Sequence, residues 1–308
     1  MLDVRRMKVL REVAQHGSFS AAAEALSFTQ SAVSQHVAAL ERETGTRLVE
    51  RGARGVRLTD AGEALVSHAD AIIARIQDAE EELAAIAGLR GGRLRLASFQ
   101  SAGATLVPRA VAAFRERHPL VELGMIEAEP EEATEHLHSG DIDMALVYDY
   151  EPVRSVLDGE LDVVPLLEDP YDVIVPRDHP LAKRKVLRLA DLADEPWITS
   201  SAGSGCRTIV ERACQDEGFE PRAAFEADET LAAQALVAAG VGVTILPRLA
   251  LATVHPGVAV RPMAPPGMVR RIWAATLAGA YRSPACEAML QILHDVAEEF
   301  EGAELEAA

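Results

Sequence analysis

The feature that most constrains this chain is the segment from Thr59 to Gly88, which contains no proline and has Gly62 as its one internal glycine. Apolar residues recur along it at alternating steps of four and three, the spacing of a heptad seam. A helix over this segment would be ~40 Å long at 1.5 Å per residue. The regular seam favours a partner helix, although a long helix packed on its own domain remains open. The seam residues are Leu65, Ala69, Ile72, Ile76, Ala79, Leu83 and Ile86.

The charge of the chain differs on the two sides of this segment. The 308 residues include 30 Lys and Arg against 48 Asp and Glu, a formal net charge of −18. Residues 1–58 contain nine basic and six acidic residues, or +3, which leaves 21 basic and 42 acidic residues, or −21, for the rest. The acidic total argues against generic affinity for nucleic acids or membranes. A mildly basic head on an acidic body is compatible with specific DNA binding.

The head has the pattern of a helix-turn-helix. A first amphipathic helix ends at Gly17, a second, "AAAEAL", takes Ser20 as its N-cap, and a third begins after Thr29 and ends before Gly45. The third helix is apolar on one side, and its other side carries amides and hydroxyls that can pair with base edges. The candidate DNA-contacting residues are Ser18, Ser20, Thr29, Gln30, Ser31, Ser34, Gln35 and His36.

An arginine-rich stretch, "RLVERGARGVRLTDAG", follows the third helix. Gly52 and Gly55 can bend a hairpin between two short apolar strands. Arg51, Arg54 and Arg57 then lie along a wing that can contact phosphates or a minor groove. The alternative is a solvated arginine-rich loop, but the position directly after a helix-turn-helix favours a wing.

The body begins after the break "GLRGG", where the pattern changes to alternating strands and helices. Strand, helix, strand, helix and strand between residues 93 and 148 predict a mostly parallel sheet with helices on both faces. A second α/β unit follows, and "RRIWAATLA" with the last helix returns to the first unit. The predicted domains are a winged helix-turn-helix at 1–58, a linker helix at 59–89 and an α/β body at 90–308, with lobe I at about 93–163 and 267–300 and lobe II at about 164–266.

A cleft between the two lobes is the expected ligand site, because ligands of open α/β sheets bind at the carboxyl ends of strands. Hydroxyls and helix N-termini there could hold a carboxylate, while Asp228 and Glu229 could favour an amino-bearing compound instead. Serines at such places also serve simply as caps and turn formers. The candidate effector-binding residues are Ser98, Gln100, Ser101, Ala102, Ala128, Tyr148, Thr199, Ser200, Ser201 and Asp228.

The head resembles LysR-type transcriptional regulators over "GSFSAAAEALSFTQSAVSQHVAALERETGTRLVERGARGVRLTDAGEAL". The body adds "SGDIDMAL", "HPLA" and "GVGVTILP", so the resemblance runs from Leu2 to about Glu299. Ser31 and Val49 depart from the commonest pattern, where proline and phenylalanine are frequent. The matching head residues are Phe19, Ala21, Ala22, Ala23, Leu26, Gln30, Ala32, Ser34, Leu40, Glu41, Gly45, Leu48, Arg51, Leu58, Thr59 and Gly62.

This resemblance implies a set of expectations about function. The body would have a periplasmic-binding-protein-like fold that binds a small-molecule effector, carboxylate or amino-acid-like. The linker would form an antiparallel dimer, which can assemble further into a tetramer, and the dimer or tetramer would read an inverted repeat in double-stranded DNA. RNA polymerase would be a further partner if the protein activates transcription. The absence of a signal sequence and of an apolar span implies a cytoplasmic protein.

Other signals are weaker. His136 and His138 lie two apart on a predicted helix and point in different directions, so no metal site is expected. No Walker motif, dinucleotide fingerprint or catalytic constellation occurs, so neither a cofactor nor an enzyme is predicted. Cys206 and Cys214 leave open a thiol-redox regulator, although on one helix they would be ~12 Å apart, too far for a disulfide. A cytoplasmic solute-binding protein or enzyme built on the body is a third, more distant alternative.

Overall fold

The computed structural model describes residues 2–52, 55–86, 92–150, 159–265 and 267–307. The head consists of helices α1 (Val4–His16), α2 (Phe19–Ala25) and α3 (Gln30–Thr44) and strands β1 (Val49–Gly52) and β2 (Gly55–Leu58). Gly17 and Gly45 end α1 and α3 with left-handed φ angles of 61° and 71°, as their sequence positions predict. The apolar sides of the three helices form one core with Leu48 and Val49 of the wing.

The second helix begins earlier than its sequence suggests. Ser18 is the N-cap of α2, and its hydroxyl accepts a hydrogen bond from the backbone N–H of Ala21. The prediction that Ser20 caps this helix is therefore wrong, because Phe19 is already helical and packs into the head core. Thr29 caps α3 as predicted, accepting from the N–H of Ala32.

The linker is a single helix, α4 (Asp60–Ile86), that presents three different faces. One face, with Ala69 and Ile73, packs on Met7 of α1, so the head is held by its own linker. Gly62 fits because a Cβ there would collide with the carbonyl oxygen of Leu48. Three seam residues, Ile72 (37 % exposed), Ile76 (38 %) and Leu83 (65 %), point away from the protomer's own core.

Lobe I is built on a mixed sheet. Strands β3 (Gly92–Ser98), β4 (Val121–Glu127) and β5 (Met144–Tyr150) are parallel, with helices α5 (Gln100–Ala104), α6 (Leu106–Arg117) and α7 (Pro130–Ser139) between them. Strand β11 (Val269–Leu277) then pairs antiparallel to both β5 and the next strand along the chain, β6 (Leu161–Pro176). The mostly parallel sheet predicted from sequence is therefore mixed, because the returning C-terminal strand enters it in the opposite direction.

One long strand belongs to both lobes. Strand β6 (Leu161–Pro176) pairs with β11 along residues 161–170 and with β10 (Val258–Pro262) and β9 (Thr244–Pro247) beyond that. The lobe boundary predicted at residue 164 thus falls within a continuous strand. The remaining elements are β7 (Pro196–Thr199), α8 (Gly205–Asp216), β8 (Arg222–Glu226) and α9 (Thr230–Ala238) of lobe II, the C-terminal helix α10 (Pro284–Ala307), and 3₁₀ turns at 180–183, 189–192 and 248–251.

No helix in the described part of the chain is long and apolar enough to cross a bilayer.

Candidate DNA interface and effector cleft

The exposed side of α3 carries the side chains predicted to read DNA. Gln30, Ser31 and Gln35 are exposed, while Ser34 and His36 are half-buried. The ring of His36 stacks on exposed Phe28 at 5.9 Å. The capping hydroxyls of Ser18 and Thr29 accept from backbone N–H groups, so each keeps its O–H as a donor for a phosphate oxygen. Ser20 is exposed in the first turn of α2.

The wing is fixed to the helices by backbone hydrogen bonds. Strands β1 and β2 pair antiparallel, and the N–H of Val56 donates to the carbonyl of Gly17 at 2.9 Å. Glu41 of α3 accepts from the N–H of Leu48 at 2.9 Å. Arg57 is exposed on β2, whereas Arg51 is placed only by its backbone in β1 and Arg54 lies outside the described residues.

A cleft of about 890 Å³ lies between the two lobes, at the carboxyl ends of the strands. Of the predicted effector residues, Tyr148, Ser200, Ser201 and Asp228 line it. Gln100 and Ser101 line a smaller inner cavity of about 110 Å³ that continues from it, and Thr199 lines a third of about 50 Å³ in lobe II. Three predicted residues are buried away from these cavities: Ser98, Ala102 and Ala128.

The hydroxyls expected to hold a carboxylate are mostly engaged within the protein. Ser98 donates to the carbonyl of Phe99. Ser201 donates to both carboxylate oxygens of Asp228, from its N–H at 2.8 Å and from its hydroxyl, and these bonds lower the pKa of Asp228. The buried hydroxyl of Thr199 differs from these, because it has no hydrogen-bond partner among the described residues.

Sequence reasoning missed the group that forms the inner wall. The guanidinium of Arg270 is buried, donates to Asp169 at 2.8 Å and to the Ser101 hydroxyl at 2.6 Å, and lies 4.8 Å from the ring centre of Phe99 and 4.9 Å from that of Tyr148. Burial raises the pKa of Asp169, and Arg270 counteracts that effect. An arginine inside the otherwise apolar strand "RRIWAATLA" was the available signal, since a buried charge needs a partner.

Two sets of side-chain contacts join the lobes across the cleft. Gln100 of lobe I donates to Glu229 and accepts from the hydroxyl of Thr230, both at 3.1 Å. Tyr148 of lobe I lies 3.3 Å from the sulfur of Cys206 in lobe II, and its hydroxyl donates to Glu129 at 2.5 Å. Burial, Cys206 and Glu129 together raise the pKa of Tyr148, so its hydroxyl remains protonated and can donate.

The lining of the main cleft is acidic. Among the described residues it includes four carboxylates, Glu129, Glu131, Asp149 and Asp228, and one arginine, Arg212, which together give a formal charge of −3. Lobe I supplies the first three carboxylates, whereas lobe II supplies Asp228 and Arg212, so the excess negative charge lies on the lobe I side. This field opposes anionic ligands and favours cationic ones.

The cysteines differ in their surroundings. Cys206 is half-buried at the cleft, and Cys214 is buried on the side of α8 that faces the core. Burial raises the pKa of the Cys214 thiol to about 12, with a further contribution from Glu211, so it is not a thiolate at neutral pH. Within the described residues no group of His, Cys, Asp or Glu has the arrangement of a metal site.

The chain has a winged helix-turn-helix, a long helix and a two-lobed body with a central cleft. This arrangement defines a DNA-binding regulator with its own ligand-binding domain, and comparison with known proteins agrees with that class. Residues 4–63 match the family described as bacterial regulatory helix-turn-helix protein, lysR family, and residues 87–298 match the LysR substrate binding domain. The chain belongs to the LysR family and is a LysR-type DNA-binding transcriptional regulator, a family of regulators and not an enzyme class.

Similar proteins support this assignment along the whole chain. The chain is 35 % identical to the probable HTH-type transcriptional regulator LrrA of Synechococcus elongatus, covering 97 % of this chain and 98 % of that protein. It is 32 % identical to the HTH-type transcriptional regulator CfxR of Cupriavidus necator, covering 98 % and 94 %. A full-length OxyR variant of Pseudomonas aeruginosa has a TM-score of 0.76 at 24 % identity, covering 97 % of both chains, and at that identity the likeness shows the fold alone.

A second solved structure concerns DNA directly. Full-length CbnR complexed with its target DNA has a TM-score of 0.56 at 24 % identity, covering 96 % of this chain and 100 % of that one. The expected fold class, a winged helix-turn-helix, a linker helix and a two-lobed effector domain, is confirmed.

Proposed function

We propose that this regulator binds a small amine-bearing, amino-acid-like effector in the interlobe cleft, and that it reads an inverted-repeat site as a dimer or tetramer. The acidic cleft lining is the observation that carries the effector class. A ligand ammonium between Glu129 or Glu131 of lobe I and Asp228 of lobe II is attracted to a carboxylate on each side of the cleft. Binding of a cation would therefore favour the closed arrangement.

The effector would act on DNA through the linker. Exposed Ile72, Ile76, Ala79 and Leu83 supply an apolar strip for a second copy of α4, whereas Ala69 is already buried on the protomer's own α1. Two heads held by such a pair present two copies of α3 to two half-sites. A change in the angle between lobes then changes the spacing of the heads, and RNA polymerase is the further partner where the response is activation.

Binding of matched ligands to the full-length protein tests the effector class. Isothermal titration with amino acids and diamines, set beside the carboxylic acids that lack the amino group, should give binding that depends on Glu131 only for the amine-bearing compounds. Glu131→Gln should weaken that binding by roughly two- to fivefold, as expected for an exposed ion pair. Glu132→Gln is the matched control, because Glu132 shares the first turn of α7 but does not line the cleft.

The outcome can also contradict the proposal. Binding of the amine-free carboxylic acids that depends equally on Glu131, or equal losses in the two glutamate variants, would show that the acidic lining does not select the ligand. Binding of neither class would remove the cleft as an amine site.

A further inference from the structure

A separate cavity, of about 220 Å³, lies where the linker helix meets lobe I. We call it the junction cavity. It lies on the side of lobe I that faces α4, and none of its lining residues is shared with the interlobe cleft. Its lining residues come from α4, from the strands of lobe I and from the segment that leads into α10, and they include Ala74, Arg75, Arg95, Asp143, Thr276 and Arg282.

The lining of the junction cavity has the opposite charge to that of the cleft. Its described lining contains three arginines, Arg75, Arg95 and Arg282, and one carboxylate, Asp143, which gives a formal charge of +2 in a chain whose total is −18. Each guanidinium has several N–H donors in a planar fork, which suits carboxylate and phosphate oxygens.

The known contacts of these arginines show how they are held around the cavity. Arg75 donates to the carbonyl of Gly279 at 2.8 Å, which ties α4 to lobe I. Arg95 contacts Asp143 at 3.2 Å. Arg282 contacts Asp162 at 3.1 Å and lies 3.7 Å from Glu287. These bonds use some of the donors and fix the three side chains in place.

Two buried polar atoms at the cavity have no hydrogen-bond partner among the described residues. The hydroxyl of Thr276, on a side chain from β11 that is 3 % exposed, has no hydrogen-bond partner in the described part of the chain. The Nε of Arg95 is likewise buried without a partner there. A buried polar group without a partner costs about 1–3 kcal/mol, so a bound group that accepts from both would recover that cost.

The N-terminus of α10 adds to this arrangement. The helix is 24 residues long and begins at Pro284, directly after Ser283, which lines the cavity. The positive end of its dipole therefore lies at the same place as the arginines and the unpartnered Thr276 hydroxyl.

We propose that the junction cavity binds a small oxyanion, a carboxylate or a phosphate. Arg75 contacts the anion from the linker helix, and Arg95 and the Thr276 hydroxyl contact it from lobe I. An occupant held from both sides fixes α4 on the body. This second ligand would therefore set the position of the DNA-binding head independently of the interlobe cleft.

Titration of the full-length protein with two probes, inorganic phosphate and malonate, tests the site. Ionic strength is kept constant with sodium chloride so that general screening does not contribute. Saturable binding is expected for at least one probe, and comparison of the two distinguishes an inorganic from an organic source. Arg75→Gln should weaken binding about tenfold or more, the effect of losing a hydrogen bond from a charged group.

Thr276→Val provides the second variant. It preserves the shape of the side chain and removes a hydroxyl that has no hydrogen-bond partner among the described residues, so the protein should fold at least as stably while anion binding weakens by roughly fivefold or more. Arg115→Gln is the matched control, because Arg115 is exposed on α6 away from the cavity. It removes the same charge and should leave binding unchanged.

Three results would overturn the proposal. They are no saturable binding of either probe, an equal loss in Arg75→Gln and Arg115→Gln, and a loss in Arg212→Gln with none in Arg75→Gln. The last result would place the anion in the interlobe cleft.

Discussion

The interlobe cleft and the junction cavity both lie where two units of the protein meet, but their charges are opposite. The cleft is lined by four carboxylates and one arginine, and the junction cavity by three arginines and one carboxylate. In an acidic chain, the negative charge of the cleft reflects the average composition. The positive charge of the junction cavity requires that the fold bring basic residues from distant segments together. The comparison indicates that net charge says little about what an individual cavity can bind.

The arginines of the two regions also differ in what surrounds them. Arg270 at the inner wall of the cleft is buried, paired with Asp169 and covered by two aromatic rings. Arg75 at the junction is exposed on α4. A buried ion pair loses much more when one partner is removed than a surface residue does. We therefore expect Arg270 to act mainly in the fold and Arg75 mainly in binding.

The largest effect is expected for Arg270→Ala. This change leaves the Asp169 carboxylate buried without its counter-ion, and the free energy of unfolding should fall by about 3–5 kcal/mol. Arg75→Gln at the junction should alter the free energy of unfolding by about 0.5 kcal/mol or less. Urea denaturation monitored by circular dichroism measures both. Equal losses in the two variants would remove the distinction between a structural and a binding arginine.

The pH dependence of the Arg270→Ala variant sharpens this test. Burial raises the pKa of Asp169 in the folded state, so the folded protein binds the proton more tightly than the unfolded chain does. This stabilisation is fully present below the pKa of Asp169 in the unfolded chain and is lost as pH rises through the higher folded-state pKa. Because Arg270 lowers the pKa of Asp169, its removal raises that pKa further in the variant. The deficit of the variant relative to the unmodified protein should therefore shrink as pH is lowered, and a deficit that grows instead would contradict the assignment.

The two regions also show how far sequence reasoning reaches. Helix caps at Gly17, Thr29 and Gly45 and the helix-turn-helix were predictable because they depend on residues a few positions apart. The Arg270–Asp169 pair joins residues 101 positions apart, and the Gln100–Glu229 contact joins residues 129 apart. Such pairs depend on which strands become neighbours, and a single sequence carries no local periodicity for that.

The seam of α4 shows a mixed outcome for the same reason. A heptad spacing identifies apolar positions but not what covers them. Ala69 is covered by α1 of the same protomer, while Ile73, outside the predicted seam, joins it there. Ala71, Ala74 and Arg75 face the junction cavity. One helix thus divides its surface among its own head, its own body and the strip proposed for a partner.

An intermediate effect is expected for Ile76→Asp, which separates self-association from anion binding. Ile76 belongs to the exposed strip and does not line the junction cavity. A charge placed in an apolar helix pair should raise the dissociation constant of the dimer about tenfold or more, while phosphate or malonate binding at the junction stays unchanged. Sedimentation velocity over a range of concentrations measures the first and titration the second. Undisturbed association would show that partners meet elsewhere.

The smallest effect is expected for the cleft thiol. Cys206 lies between the lobes near Tyr148, but Cys214 is buried with its pKa raised to about 12. A protonated, enclosed thiol is a poor nucleophile for disulfide exchange. Cys206→Ser combined with Cys214→Ser should therefore leave operator affinity within about twofold, with and without peroxide. Gel-shift titrations measure the operator affinity. If the unmodified protein responds to peroxide and the double variant does not, the thiol-redox alternative is established. Cys206 would then be part of the sensing site, and the acidic lining would be incidental to it.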